Sequence, residues 1–402
     1  MSDGGGGVTD GGKPGSPEPG APARTPGGRF DTDRLIMAFG GPVLALGVAV
    51  LLTSVVLLLS GRNPVEPYIL MVEYAGNADI QVNILNRSTT YYIAALAVAV
   101  GFRMNLFNIG VDGQYRLAAV MAAIVGAAIE LPAPLHVTAI VLVAMLTGAF
   151  WAGIAGILKT TRGVSEVVST IMLNAIATSI IAYLILPAQF GEQRGNNLTT
   201  GLIPESGWFP GFDTGDGGVV YGFIVVAVLL GVLYWLVLNR TRFGFDLRAT
   251  GASPSAAAAS GVDAKRMVFT SMVISGAVAG MAGMPVLLGD SHTYSLVFPV
   301  GVGFTGITIA LLGRNHPVGI ALGALLIAFL DIASQTLDFN GYEREIATIM
   351  QGLIVIAVVV SYEAVRRWGL RRQQQRVGEE LAAQAAGAAG GNSQNLSKGA
   401  SA

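Results

Sequence analysis

Apolar residues along this chain gather into long uncharged runs, and the charges concentrate in the short segments between them. Runs at 35–59, 107–129, 135–158, 164–187, 219–238, 267–289, 317–338 and 346–365 reach the about 20 residues that a helix needs to cross a hydrocarbon core. Two further runs, 88–102 and 301–313, are too short to span as straight helices. Each is followed by Arg, Asn or Pro and then by another apolar run, a pattern tolerated at membrane depth only inside protein or a water-filled cavity. The pattern predicts an all-α, polytopic transmembrane bundle of about ten segments, some short or broken. The short segments fall second in the first five and third in the second five. Five plus five, joined near 188–218, is the arithmetic of an inverted repeat, although no residue-level self-similarity supports it.

Composition sharpens this picture. Of 402 residues, 52% are hydrophobic and 12% charged, about half the charge of a soluble protein, and mean hydropathy is +0.60. A net charge of −1 excludes a nucleic-acid stripe, and the absence of cysteine excludes disulfides and thiolate metal sites. The histidines, His136, His292 and His316, are scattered, so no metal or cofactor is expected. Residues 1–33 are Gly/Pro-rich and 371–402 Ala/Gly/Gln/Ser-rich; both read as disordered tails flanking a membrane domain over 34–370. The first tail has no apolar h-region and is not read as a signal peptide. Basic residues cluster at Lys159 and Arg162, along 239–266, and at Arg366–Arg372. With all of these cytoplasmic, ten crossings put both termini inside and leave 60–87 and 188–218 outside.

Two motifs imitate nucleotide sites. Gly301-Val-Gly-Phe-Thr-Gly306 matches the dinucleotide fingerprint, but no strand precedes it and no acidic residue follows at the required distance. Close packing or a broken helix is the better reading. Gly153 to Thr160 resembles a phosphate loop but carries Leu158 where glycine must precede the lysine. Gly276/Gly280 and Gly319/Gly323 are small-xxx-small pairs expected to pack helices. No catalytic dyad or triad is visible, so the chain is not expected to be an enzyme.

Polar groups at membrane depth are the functional candidates. Asn108, Asp112, Gln114 and Arg116 cluster at the start of one run, with Asp112 and Arg116 at i,i+4 and Asn108 placed near the same helix face. Glu166, Ser169, Thr170 and Asn174 form a stripe that is either a pathway lining or a helix–helix seam. Asp331 and Gln335 form a second i,i+4 pair, and Gln351 lies early in the last run. Between spans, Ser253 suits an N-cap, Pro254 the first helical position and Gly261 the C′ stop, predicting a short Ala-rich helix on the basic side. So short a helix is stable only when docked.

These residues resemble a family. Asn108-Ile-Gly-Val-Asp-Gly-Gln114, Ser169-Thr-Ile-Met-Leu-Asn174, Arg248-Ala-Thr-Gly-Ala-Ser-Pro254 through Gly261, and Gly303 to Pro317 are similar, in order, to motifs of nucleoside-type ABC importer permeases. Asp112 stands where that family usually has Glu, Ser253 where it has Asn, and Ala258-Ala259 where it has larger residues. The resemblance implies a permease subunit of an ATP-driven importer in the cell membrane. It implies pairing with a second, different permease, and an ATPase subunit docked on Arg248, Gly251, Pro254, Ala256, Ala257 and Gly261. It also implies delivery of solute by an extracytoplasmic binding lipoprotein. Asn108, Asp112, Gln114 and Asn174 would line the pathway. The solute would be a nucleoside, with simple sugars or branched-chain amino acids as alternatives. An ion-coupled secondary carrier is the competing class, since it also uses inverted repeats and intramembrane carboxylates.

Overall fold

The computed structural model describes residues 47–342 continuously and part of 348–378. The first predicted tail, most of the second, the start of the first run and Gln351 lie outside the described residues. The chain folds as α1 (Gly47–Leu59), α2 (Glu66–Ala75), α3 (Ala78–Arg103), α4 (Val111–Ala128), α5 (Ala133–Arg162) and α6 (Glu166–Leu184). A loop region carries two small antiparallel hairpins, β1 (Gly191–Arg194) with β2 (Asn197–Thr200) and β3 (Phe212–Asp213) with β4 (Val219–Val220). Then follow α7 (Phe223–Arg240), α8 (Arg242–Ala252), α9 (Pro254–Ala259) and α10 (Ala264–Met281). α11 (Met284–Val286) continues α10 into a π-helical turn, Leu287–Ser291. Next come α12 (Val302–Leu312), α13 (Pro317–Ala333), α14 (Gln335–Phe339) and α15 (Thr348–Ala357), with further helical residues among those described after Ala357. Among the described residues, five helices are each long and apolar enough to cross a membrane.

The second run is the main correction. The sequence reads 88–102 as too short to span and 60–87 as loop, but α3 is a single helix of 26 residues, about 39 Å long. Its first turns carry Asp79, Gln81, Asn83, Asn86 and Arg87, which lower the hydropathy without breaking the helix. The expectation for 301–313 holds: α12 has 11 residues and starts at Gly301 in the left-handed region, φ +84°. It is reached by an extended segment whose Tyr294 carbonyl accepts from Thr200 N–H at 2.9 Å.

The helices pack reciprocally. α3, second of the first five long segments, packs on α12 and α13; α10, second of the last five, packs on α4 and α5. The first five and last five segments therefore interleave, each half seating its second segment against the other. The third segments of each half, α4 and α12, both begin at a glycine N-cap, and their first turns touch. A Cβ on Gly303 would lie 2.3 Å from Asp112 N, and one on Gly306 would lie 3.0 Å from the Ala94 carbonyl carbon. The fingerprint-like glycines therefore serve the α12 crossing with α4 and α3. The tightest contact is α5 on α10. A Cβ on Gly148 would sit 2.1 Å from the Gly276 oxygen, and one on Gly280 2.1 Å from the Ala144 oxygen. Gly276/Gly280 is a packing pair as expected. Gly319 abuts Gly313, whereas Gly323 has ordinary room.

The bundle has two unlike ends. One gathers the α5–α6 turn, α8, α9 and the α12–α13 turn, with Lys159, Arg162, Arg240, Arg242, Lys265 and Arg266. The other gathers both hairpins, the π-turn and α2. We call these the basic end and the loop end.

Candidate functional site

Midway along the bundle, the predicted polar residues converge. α3 stops in a Schellman motif with Asn105 left-handed at φ +57° and Leu106 N–H donating to the Gly101 oxygen at 3.0 Å. The chain then doubles back, so Asn108 precedes α4 instead of sharing its helical face. Asn108 and Gln114 exchange two amide hydrogen bonds, each 2.9 Å. Asn108 Nδ2 also donates to Ser275 Oγ at 2.9 Å, and that hydroxyl donates to the Ala97 oxygen at 2.7 Å. This knot ties α3, α4 and α10 together. Asn108 and Gln114 are 1% and 0% exposed, so neither reaches solute in this conformation.

Asp112 joins α4 to α12, its Oδ1 accepting from Gly303 N–H at 3.3 Å. Its expected pairing with Arg116 exists at 4.0 Å, and Arg116 Nη1 also donates to Thr178 Oγ1 at 3.3 Å. Asn174 Oδ1 accepts from Gly113 N–H, and its Nδ2 donates to the Ile109 oxygen, both at 2.9 Å. The α6 stripe is thus a seam. Glu166, Ser169 and Thr170 are buried against α4 and α5, Glu166 pairs with Lys159, and apolar Val168, Ile171, Met172 and Ile176 face outward.

Asp331 meets Gln335 only through its backbone, the Gln335 Nε2 donating to the Asp331 carbonyl oxygen at 3.4 Å. Its carboxylate meets Arg87 Nε at 3.3 Å and accepts from the Tyr91 hydroxyl at 2.9 Å. Arg87 and Tyr91 lie in the stretch of α3 that hydropathy conceals. The missed signal was periodic: Asn83, Asn86, Arg87 and Thr90 fall at i, i+3, i+4 and i+7, one helix face. Ser275 gave no signal, because a lone serine in an apolar run is common.

At the basic end, α9 forms as its caps predict. Ser253 Oγ accepts from Ala256 N–H at 3.3 Å, and Gly261 is left-handed at φ +86° with Val262 N–H donating to the Ala257 oxygen at 3.0 Å. Unexpectedly, α8 precedes it as a full helix, capped by Thr241. The predicted docking residues divide between two faces. Ala257 is 2% exposed, and a Cβ on Gly251 would lie 2.8 Å from the Arg103 oxygen, so both anchor this segment to its own bundle. Pro254, Ala256 and Gly261 are exposed, together with Ser255, Ala258 and Ala259. Arg248 lines a groove of about 1140 Å³ with Arg240, Arg242 and Arg266, and its Nη1 is buried without a hydrogen-bond partner.

Residues 80–359 match the family described as branched-chain amino acid transport system, permease component. The guanosine ABC transporter permease protein NupP of Bacillus subtilis is 34% identical over 80% of this chain and 93% of its own length. The glucose ABC transporter permease protein TsgB13 of Haloferax volcanii is 30% identical over 87% and 94%. The nucleoside ABC transporter permease protein NupB of Lactococcus lactis is 29% identical over 80% and 90%.

Proposed function

The chain belongs to the branched-chain amino acid transport system permease family, and from that premise we propose that it carries nucleosides inward. Its ATP is hydrolysed on a separate subunit. Permease function replaces the ion-coupled alternative. α9 carries the assembly reading: six residues, capped at both ends, with a small-residue face turned away from the bundle. A helix this short holds its shape only on a support, and Ala257 supplies one side of it. The ATPase covers the other side and satisfies Arg248. The basic end then faces the cytoplasm, as its lysines and arginines require. Both termini follow it, and residues 1–33 and 371–402 are cytoplasmic tails. A second permease packs on the apolar outer face of α6, and a substrate-binding lipoprotein meets the loop end.

Asn108, Asp112, Gln114 and Asn174 belong to the pathway as its frame. They fix the first turns of α4 and α12, the two helices that start inside the membrane, so that movement of α8–α9 reaches the pathway wall. Similarity to two nucleoside permeases favours nucleosides; similarity to the glucose permease at 30% identity supports a sugar as the second reading. Uptake of labelled guanosine and glucose by cells with and without the intact system separates them. Loss of glucose uptake alone on deletion overturns the nucleoside reading.

A further inference from the structure

A cavity of about 210 Å³ opens at the loop end between α3, the segment before α7 and the π-turn. Asn83 and Asp290 stand exposed at its rim, with Tyr221 and Arg87 half-buried in its wall. Asn86 and Thr90 are buried at 5% and 2% exposure. Asn86 is committed to structure, donating to the Val219 oxygen at 2.9 Å and accepting from Tyr221 N–H at 2.8 Å. Thr90 is not. Ser88 and Thr89 return their hydroxyls to the Leu85 oxygen at 2.7 and 3.0 Å, whereas Thr90 Oγ1 is buried with no partner. A hydroxyl kept unpaired in the wall of this cavity points to a ligand that completes it. The π-turn, Leu287–Ser291, brings Asp290 into the same cavity wall as Tyr221, and such turns recur at functional sites.

The charges define the ligand. Arg87 is already paired with Asp331 at 3.3 Å, and Asp290 adds a second carboxylate. One guanidinium against two carboxylates repels a phosphate and favours a neutral molecule rich in hydroxyls. The volume lies below the about 300–1,000 Å³ of pockets for drug-sized ligands, so it takes part of a solute. We propose that this cavity binds the ribose hydroxyls of a nucleoside at the loop end of the permease; the assignment rests on the nucleoside reading above.

The full chain in lipid nanodiscs, titrated with guanosine and followed by saturation-transfer NMR, tests this. Saturation is expected at the ribose protons, with 2′,3′-dideoxyguanosine about threefold to tenfold weaker and the 5′-monophosphate not binding. Thr90→Val should weaken guanosine by a similar factor. It removes an unpaired hydroxyl and so should not lower the unfolding temperature. Asn83→Ala, at the exposed rim, provides a second variant that folding does not constrain. Equal binding of guanosine and its dideoxy analogue, or no loss in either variant, overturns the subsite. Guanosine uptake by cells carrying the intact system is measured beside it. Uptake without ribose saturation overturns the subsite alone. Saturation of free D-ribose without guanosine uptake keeps the sugar subsite and overturns the nucleoside reading.

Discussion

Replacing Asn108 by Leu breaks one half of the reciprocal amide pair and strands the other. Gln114, at 0% exposure, loses the acceptor and the donor that it meets at 2.9 Å. The Gly110 N–H also loses its acceptor, Asn108 Oδ1. Each buried polar group left unsatisfied costs about 1–3 kcal/mol, so three cost about 3–9 kcal/mol. Ser275 still donates to the Ala97 oxygen and is hardly affected. Gln114→Leu strands Asn108 less fully, because Asn108 retains Ser275 and the Gly110 N–H. The double variant removes both amides and leaves an apolar contact that can pack, so its cost falls below the sum of the singles. A coupling of at least about 1 kcal/mol is expected from the thermal unfolding of the four proteins in one detergent. Additive losses would refute the knot. Transport separates a frame from a lining: a restacked double variant keeps part of its uptake if these residues frame the pathway. Complete loss at normal stability would make them solute contacts.

Three further outcomes follow from the geometry. Ala256→Glu, on the exposed face of α9, should leave the unfolding temperature within about a degree while abolishing co-purification of the ATPase; Ala257→Glu, buried, should lower stability instead. Gly276→Leu places a side chain within 2.3 Å of the Gly148 oxygen, and overpacking of about 1–3 kcal/mol or more should appear as reduced yield of monodisperse protein. His292 stacks on Trp208 at 3.9 Å between ring centroids, and burial pushes its pKa down against the opposing pull of Asp290. The unfolded chain takes up that proton near pH 6.5 and the folded chain later. The loop end therefore loses stability as pH falls below about 6.5, readable by Trp fluorescence; His292→Gln should flatten that dependence.

Much of this chain was legible before its fold. Ten apolar runs dictate a helical bundle because a bilayer leaves backbone groups no partner outside helices. Gly301, Ser253 and Gly261 mark helix ends through local backbone geometry, which three or four residues determine. Charge asymmetry separates the basic end from the other. What stayed hidden depends on residues far apart in the chain. Hydropathy averages over a window, so the polar first turns of α3 read as loop, although their 3.6-residue period was present. Ser275 acquires its role only because α10 carries it to Asn108, 167 positions away in sequence. The Asp331 carboxylate finds Arg87 and Tyr91 across the bundle, leaving only the backbone oxygen to its i+4 neighbour Gln335. Gly251 and Ala257 turn inward, and Ala256 outward, because α8 rests on the end of α3. Local patterns determine which segments form helices and where they stop. Which of their faces meet, and so which polar groups are partnered or left open to a ligand, is decided only when the two halves interlock.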